Sequence, residues 1–432
     1  MIQKTRFFET LILLLILLFL GSELRVSAQK RVYEFGSESS LAHGAVTVLG
    51  TDIYSPEKGY GFEPGTGVLC WKGTSRKNGN CTSNKPFYFS TALPEGNYRV
   101  SVRFGDRQVA TSTVVKAELR RLMIESIETN PGEFLTRTFI VNVRKPQIST
   151  GGEVKLKDRE KTSERWAWDE KLTLEFNGVR PTINSIEIQK VDVPTVFLLG
   201  DSTVCDQPSE PYASWGQMIT RFFDGKIAVA NHAESGESLK SSLGAKRLEK
   251  VLSLIKPGDF LMIQYGHNDE KEKGDGIGAF TSYKASLKQF TEAAKAKGAS
   301  VTLINPMHRR TFDASGKITN SHGDYPEAVR QAAKEENVPL IDLTAMSKDL
   351  YEALGKDGSG VLFKAGDGTH HNNYGSYQLA KTIVQAIRDQ KLPLAKFLIK
   401  GLTKFDPKKP DDLKTFAIPA SPAVTDLKPL GS

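Results

Sequence analysis

The sequence predicts two folded modules in series: an all-β sandwich over residues 30–190, then an α/β domain with a parallel, helix-covered sheet over residues 194–389. Three observations predict this. Between Lys30 and Lys190, apolar residues recur at every second position in short runs separated by turn residues, the pattern of half-buried strands. After Val191-Asp192-Val193-Pro194 the pattern changes to apolar strands alternating with helical periods, an order that implies parallel strands joined by crossover helices. The run Thr195-Val196-Phe197-Leu198-Leu199 is near-continuously apolar, as a strand covered on both faces must be, and it stops at Gly200-Asp201-Ser202.

In chain order, Lys4 and Arg6 precede the wholly apolar run Leu11 to Leu20, and Val26-Ser27-Ala28 offers small residues for cleavage. This is the order of a secretory signal peptide over residues 1–28. The apolar run is short for a bilayer span, so an uncleaved anchor is the lesser alternative. The mature chain is expected to be secreted or periplasmic and free of the membrane.

In the sandwich, Asn97 to Phe104 and Lys171 to Phe176 alternate apolar with polar residues, and Phe139 to Val143 and Ile186 to Ile188 add shorter strands. Pro94-Glu95-Gly96, Pro131-Gly132, Gly151-Gly152 and Asn177-Gly178 punctuate them, which argues an antiparallel arrangement. Trp71, Trp166 and Trp168 could stack on a sugar ring or serve as core and interdomain packing. Cys70 and Cys81 could close a short disulfide loop in an exported protein. Cys205 is left over and is expected to pack as a small buried residue.

In the α/β domain, strands are expected at Ile227–Asn231, Phe260–Tyr265, Ser300–Asn305 and Val338–Asp342. Helices are expected at Ser238–Lys256, Thr281–Lys297, Tyr325–Glu336, Ala345–Leu354 and Ser376–Arg388. The remainder, 390–432, is rich in Lys and Pro without sustained periodicity and reads as an extended tail.

The 432 residues suffice for two or three cores, and 39% hydrophobic with 25% charged residues is ordinary for a globular protein. A net charge of +8 and a pI of 9.1 could suit nucleic acid, an anionic surface or an acidic polymer. No basic stripe interleaved with aromatics supports nucleic acid as a partner.

Four blocks bring reactive residues to strand ends or helix starts: Gly200-Asp201-Ser202-Thr203, Asn231-His232-Ala233-Glu234-Ser235-Gly236-Glu237-Ser238, Gly266-His267-Asn268-Asp269 and Asp367-Gly368-Thr369-His370. Loops at the carboxyl ends of parallel strands converge on one edge of the sheet. With these blocks the sequence resembles the SGNH (GDSL-like) hydrolases, serine esterases with a flavodoxin-like, three-layer α/β/α fold. Tyr212-Ala213-Ser214-Trp215-Gly216, Asn305 to Phe312 and Asp367 to Asn372 look like the rhamnogalacturonan acetylesterase branch. Leu93 to Val100 and Phe176 to Ile188 resemble the galactose-binding-like jelly-roll modules of carbohydrate-active enzymes.

The resemblance implies a triad of Ser202 as nucleophile, His370 as base and Asp367 as its orienting acid, the roles that activate a serine hydroxyl. His371 is the competing base, set aside because the family pattern is Asp-x-x-His. It also implies an oxyanion hole from the N–H groups of Ser202 and Gly236 and the amide of Asn268. Asp201 is expected to fix the turn. His267, His308 and His322 lack a compact ligand spacing, so no catalytic metal and no cofactor are expected.

The implied activity is removal of acetyl groups from pectic rhamnogalacturonan. The partner would be this acidic plant polysaccharide and not nucleic acid or membrane, and the chain would act as a monomer. Arg309 and Arg310 are candidates to pair with galacturonate carboxylates or, alternatively, to form structural ion pairs. The rival readings are an SGNH esterase for acetylated xylan or a lipid ester, and a non-catalytic carbohydrate-binding protein.

Overall fold

The computed structural model describes residues 30–36, 44–65, 67–73, 79–425 and 428–430; the leader-like segment 1–28 lies outside them. The N-terminal strands are β1 (Arg31–Phe35), β2 (Ala45–Val48), β3 (Tyr60–Phe62), β4 (Leu69–Trp71), β5 (Asn80–Thr82), β6 (Phe87–Ala92), β7 (Gly96–Phe104), β8 (Thr111–Ala117), β9 (Arg121–Thr129), β10 (Leu135–Val143), β11 (Lys171–Asn177), β12 (Thr182–Ile183) and β13 (Ser185–Lys190). They form sheets of order β10-β7-β13-β1-β2 and β3-β6-β11-β8-β9, with a small third sheet β12-β5-β4. Alternation decides the inner face: in β7, Tyr98, Val100, Val102 and Phe104 are buried, while Arg99, Ser101 and Arg103 are not. Phe35, Phe62, Phe87, Phe89 and Phe176 fill the core between the sheets. Cys70 and Cys81 are disulfide-bonded between β4 and β5.

Two details depart from the sequence reading. β1 and β2 pair in parallel, so the sandwich is not wholly antiparallel. In β11 both faces are buried, because the C-terminal tail covers the polar one. Ser421 Oγ lies 2.8 Å from a Glu175 carboxylate oxygen, Asn177 donates to the Ala420 carbonyl at 2.9 Å, and Lys116 Nζ donates to the Pro419 carbonyl at 2.8 Å.

The sheet of the second module contains β14 (Thr195–Gly200), β15 (Ala228–Asn231), β16 (Phe260–Gln264), β17 (Ser300–Ile304) and β18 (Leu340–Ile341). Its order is β15-β14-β16-β17-β18, all parallel, so in domain order it runs 2-1-3-4-5. That is the flavodoxin-like order, whose ligand crevice lies at the switch point between the first and third strands. Val196 and Leu198 of β14 join one core, while Phe197 and Leu199 join the other. One core includes residues of α2 (Trp215–Met218), α7 (Leu343–Gly358) and α8 (Asn373–Asp389); the opposite one includes residues of α3 (Leu239–Gly244), α4 (Arg247–Leu252), α5 (Lys284–Ala296) and α6 (Tyr325–Glu335). Each fully buried Leu, Ile, Val or Phe in these layers contributes about 1.5–3 kcal/mol relative to exposure.

The single helix expected over Ser238–Lys256 is two helices. Lys246 breaks it with φ of 64°, a left-handed conformation. The break has a tertiary cause. The Ala245 carbonyl accepts the Lys155 N–H at 3.0 Å, and Arg247 turns inward to buried carboxylates.

The two modules share a core and a set of buried charges. Val114 of β8 and Leu122 of β9 belong to the same buried cluster as Trp215, Met218 and Phe222. Arg121 Nε lies 3.3 Å from Asp206, and Arg120 Nη2 lies 2.5 Å from Glu210. Both carboxylates sit in the loop that follows Ser202. The segment between β10 and β11, with the one-turn α1 (Asp158–Lys161), reaches over the loop after β15.

Candidate active site

Ser202 follows β14 at the switch point. Gly200 is required there, because a Cβ would meet Val204 Cγ2 at 2.5 Å and the Gln264 carbonyl oxygen at 2.6 Å. The turn is fixed by Asp201, whose Oδ1 accepts the Thr203 N–H at 2.9 Å and the Thr203 hydroxyl at 2.8 Å; its Oδ2 faces His267 Nδ1 at 3.2 Å.

His370 arrives from the loop before α8. Its Nε2 lies 2.9 Å from Ser202 Oγ, and its Nδ1 lies 3.0 Å from Asp367 Oδ2. An ionised carboxylate can only accept, so Nδ1 carries the proton and Nε2 presents a lone pair to the serine hydroxyl. The other Asp367 oxygen accepts the N–H groups of Thr369 at 2.8 Å and His370 at 3.0 Å. Burial raises the Asp367 carboxyl, but the imidazole and the two N–H donors outweigh it and hold it well below the usual carboxylate range. Tyr212 sets its ring edge-on to His370, with centroids 5.9 Å apart.

The structure brings the remaining sequence candidates to the same edge. Gly236 has φ of 74°, which suits glycine. Neither its N–H nor that of Ser202 has a hydrogen-bond acceptor among the described residues. Asn268 Nδ2 donates to the Glu237 carbonyl at 3.0 Å. Asp269 Oδ1 accepts the Leu239 N–H at 2.9 Å and ties the two loops together; burial pushes its carboxyl up to about 8.

Other candidates are engaged elsewhere. His371 Nε2 lies 2.8 Å from the Tyr351 hydroxyl, and burial, reinforced by His370, pushes its imidazole down to about 3. Cys205 is buried, with its thiol pushed up to about 12. Arg309 Nη2 pairs with Glu270 at 2.5 Å; Arg310 bonds the Ser359 hydroxyl and the Lys356 carbonyl. The backbone N–H of Arg310 donates to the Gly368 carbonyl at 2.7 Å and so supports the triad loop. His322 bonds Glu270 at 2.7 Å, and no cluster of three potential metal ligands occurs among the described residues. Of the three tryptophans singled out, Trp168 is buried, Trp166 is half-buried against Tyr88, and Trp71 is exposed.

Several contributors escaped the sequence reading. Gln207 donates to the Ser202 carbonyl at 2.7 Å. Lys157 donates to the Ser235 carbonyl at 2.6 Å, and Arg159 to the same oxygen at 3.1 Å. No motif marks these residues, because each acts through a neighbour's backbone. The site is also closely covered: Ser202 is 1% and His370 2% exposed. The two cavities near 560 and 550 Å³ lie where the modules meet and are not lined by either residue.

A flavodoxin-like sheet with a serine, an imidazole and a carboxylate in relay at its switch point defines a serine ester hydrolase. The profile of the GDSL-like lipase/acylhydrolase family matches residues 198–378. The rhamnogalacturonan acetylesterase RhgT of Bacillus subtilis (strain 168) is 37% identical over 219 residues, covering 47% of this chain and 94% of that protein. The uncharacterized esterase YxiM of the same organism is 29% identical over 400 residues, covering 88% of this chain and 96% of that protein. A crystal structure of YxiM from Bacillus subtilis is 26% identical and covers 84% of this chain and 99% of that one, with a TM-score of 0.46. The chain belongs to the GDSL-like lipase/acylhydrolase family and is a serine esterase.

Proposed function

We propose that the protein is a carbohydrate esterase that removes acetyl groups from pectic rhamnogalacturonan through an acyl-enzyme. The observation that carries the chemistry is the His370–Ser202 contact at 2.9 Å. Ser202 Oγ attacks the acetyl carbonyl while its proton passes to His370 Nε2. Asp367 holds the imidazole tautomer and stabilises its cation. The tetrahedral oxyanion is received by the N–H groups of Ser202 and Gly236 and by the Asn268 amide. The intermediate collapses, the sugar hydroxyl leaves with the proton from His370, and acetyl-serine remains. Water then attacks with the same histidine as base, releasing acetate and restoring Ser202.

Three features support this ester. The 37% identity to RhgT, named a rhamnogalacturonan acetylesterase, supports the polymer. The close cover over Ser202 favours a two-carbon acyl group over a long chain. The net charge of +8 favours a polyanion such as galacturonate-rich pectin, whose carboxylates would compete with Glu270 for Arg309. The leader-like N-terminus supports a secreted or periplasmic location. Acetate release from acetylated rhamnogalacturonan, acetylated xylan and a long-chain aryl ester is the test. The pectic substrate should be turned over fastest; equal or faster release from xylan or the long-chain ester would refute the assignment.

A further inference from the structure

The oxyanion-side loop, Glu234–Ser238, is gripped from outside its own domain. The grip comes from the segment between β10 and β11 of the N-terminal sandwich. Lys157 Nζ donates to the Ser235 carbonyl at 2.6 Å, and Arg159 Nη2 donates to the same oxygen at 3.1 Å while pairing with Glu234. Behind them Arg247 is wholly buried between Glu160 and Glu237, each at 2.8 Å. The Ser235 carbonyl and the Gly236 N–H are the two ends of one peptide unit. A donor on the oxygen of a planar amide draws electron density from its nitrogen and makes the N–H a better donor. Such coupling strengthens a bond by about 10–30%, and here both donors are charged. Two cations on one oxygen also fix the peptide plane, at a glycine whose own side chain cannot.

From this geometry we infer that Lys157 and Arg159 are positioning residues for ester hydrolysis, which orient and polarise the Ser235–Gly236 peptide so that its N–H stabilises the oxyanion. The sandwich thereby takes part in transition-state stabilisation. The inference rests on the proposed role of the Gly236 N–H. It gives the N-terminal module a task separate from any sugar binding.

The test uses the full chain with Lys157→Gln, Arg159→Gln and the double substitution. The readouts are kcat and KM on a small aryl acetate and inhibition by a boronic acid, which forms a tetrahedral anion on the serine. Each single change should lower kcat roughly tenfold, short of the roughly 10²–10³ that removing a whole oxyanion donor costs. KM should hold, boronate affinity should fall in parallel with kcat, and Lys157→Arg should restore most of the loss. Arg221→Ala, which breaks an interdomain ion pair with Glu125 at 3.1 Å away from this loop, should leave kcat unchanged. A folded double variant with normal kcat and boronate affinity overturns the inference, even if its melting temperature drops. Ser202→Ala and Asn268→Ala separate the two levels. Activity surviving in Ser202→Ala removes the underlying reading. A loss confined to Asn268→Ala, with the Lys157 and Arg159 variants unaffected, removes this inference alone.

Discussion

His371 and Tyr351 stand 2.8 Å apart, Nε2 to hydroxyl, and this contact turns the neighbour of His370 away from the serine. The two adjacent histidines therefore differ in role. His370→Ala should lower kcat by about 10³ or more, because it removes the imidazole that faces Ser202 Oγ. His371→Gln should keep activity within about tenfold, with a loss of stability of about 1–3 kcal/mol from the buried hydrogen bond. Steady-state kinetics and thermal melts on both variants check this.

Asp367→Asn should fold normally and lose about 10⁴ in kcat. The amide can donate to Nδ1 and so favours the tautomer whose Nε2 cannot accept the serine proton. A kcat within tenfold of the parent would show that Asp367 does not set the tautomer.

Asn268→Ala removes the one proposed oxyanion donor that lies on a side chain. It should cost about 2.7–4 kcal/mol of barrier with KM little changed. A rise in KM at constant kcat would instead mark Asn268 as a ground-state contact.

Acid should destabilise the fold through histidines buried in neutral form. Burial pushes His267 and His308 down to about 4 and His371 down to about 3, from an ordinary value of 6.5. A depressed imidazole holds its proton less well folded than unfolded. Stability is therefore full above pH 6.5 and is lost as pH falls toward 4, by roughly 1.4 kcal/mol per pH unit for each such group. Melting temperatures across this range should fall with decreasing pH, and less steeply in His308→Gln.

Arg121→Ala would leave Asp206, inside the interdomain core, with the Asn231 amide at 2.8 Å and the more distant Arg144 guanidinium at 3.7 Å. Breaking one side of a buried ion pair costs about 3–5 kcal/mol. A chemical denaturation midpoint unchanged from the parent would show that the pair carries no such weight.

What was legible in the sequence follows from where the signals lie. β14, β16 and β17 are wholly or largely buried in a two-faced sheet, so their composition alone marks them. The candidate triad is legible through the resemblance to the SGNH hydrolases, whose blocks mark Ser202 in Gly-Asp-Ser-Thr and Asp367 and His370 in Asp-x-x-His. The β8–β9 hairpin was not legible. Arg121 and Lys116 are charged yet buried, and partners from the other module and the tail satisfy them, so local alternation fails there. The split of the helix at Lys246 was hidden for the same reason: its cause is Lys155, far upstream in the other module. Lys157 and Gln207 act on backbone carbonyls, which no side-chain motif encodes.

RhgT is matched over 94% of its length by 47% of this chain. Here the segment between β10 and β11 holds a loop of the catalytic domain by its peptide groups. For recombination or engineering, the transferable cassette is therefore not residues 194–389 alone. A graft that moves this domain to another scaffold must carry Lys157, Arg159 and Glu160 with it, or redesign Glu234, which would lose Arg159, and Arg247, which would keep Glu237 but lose Glu160.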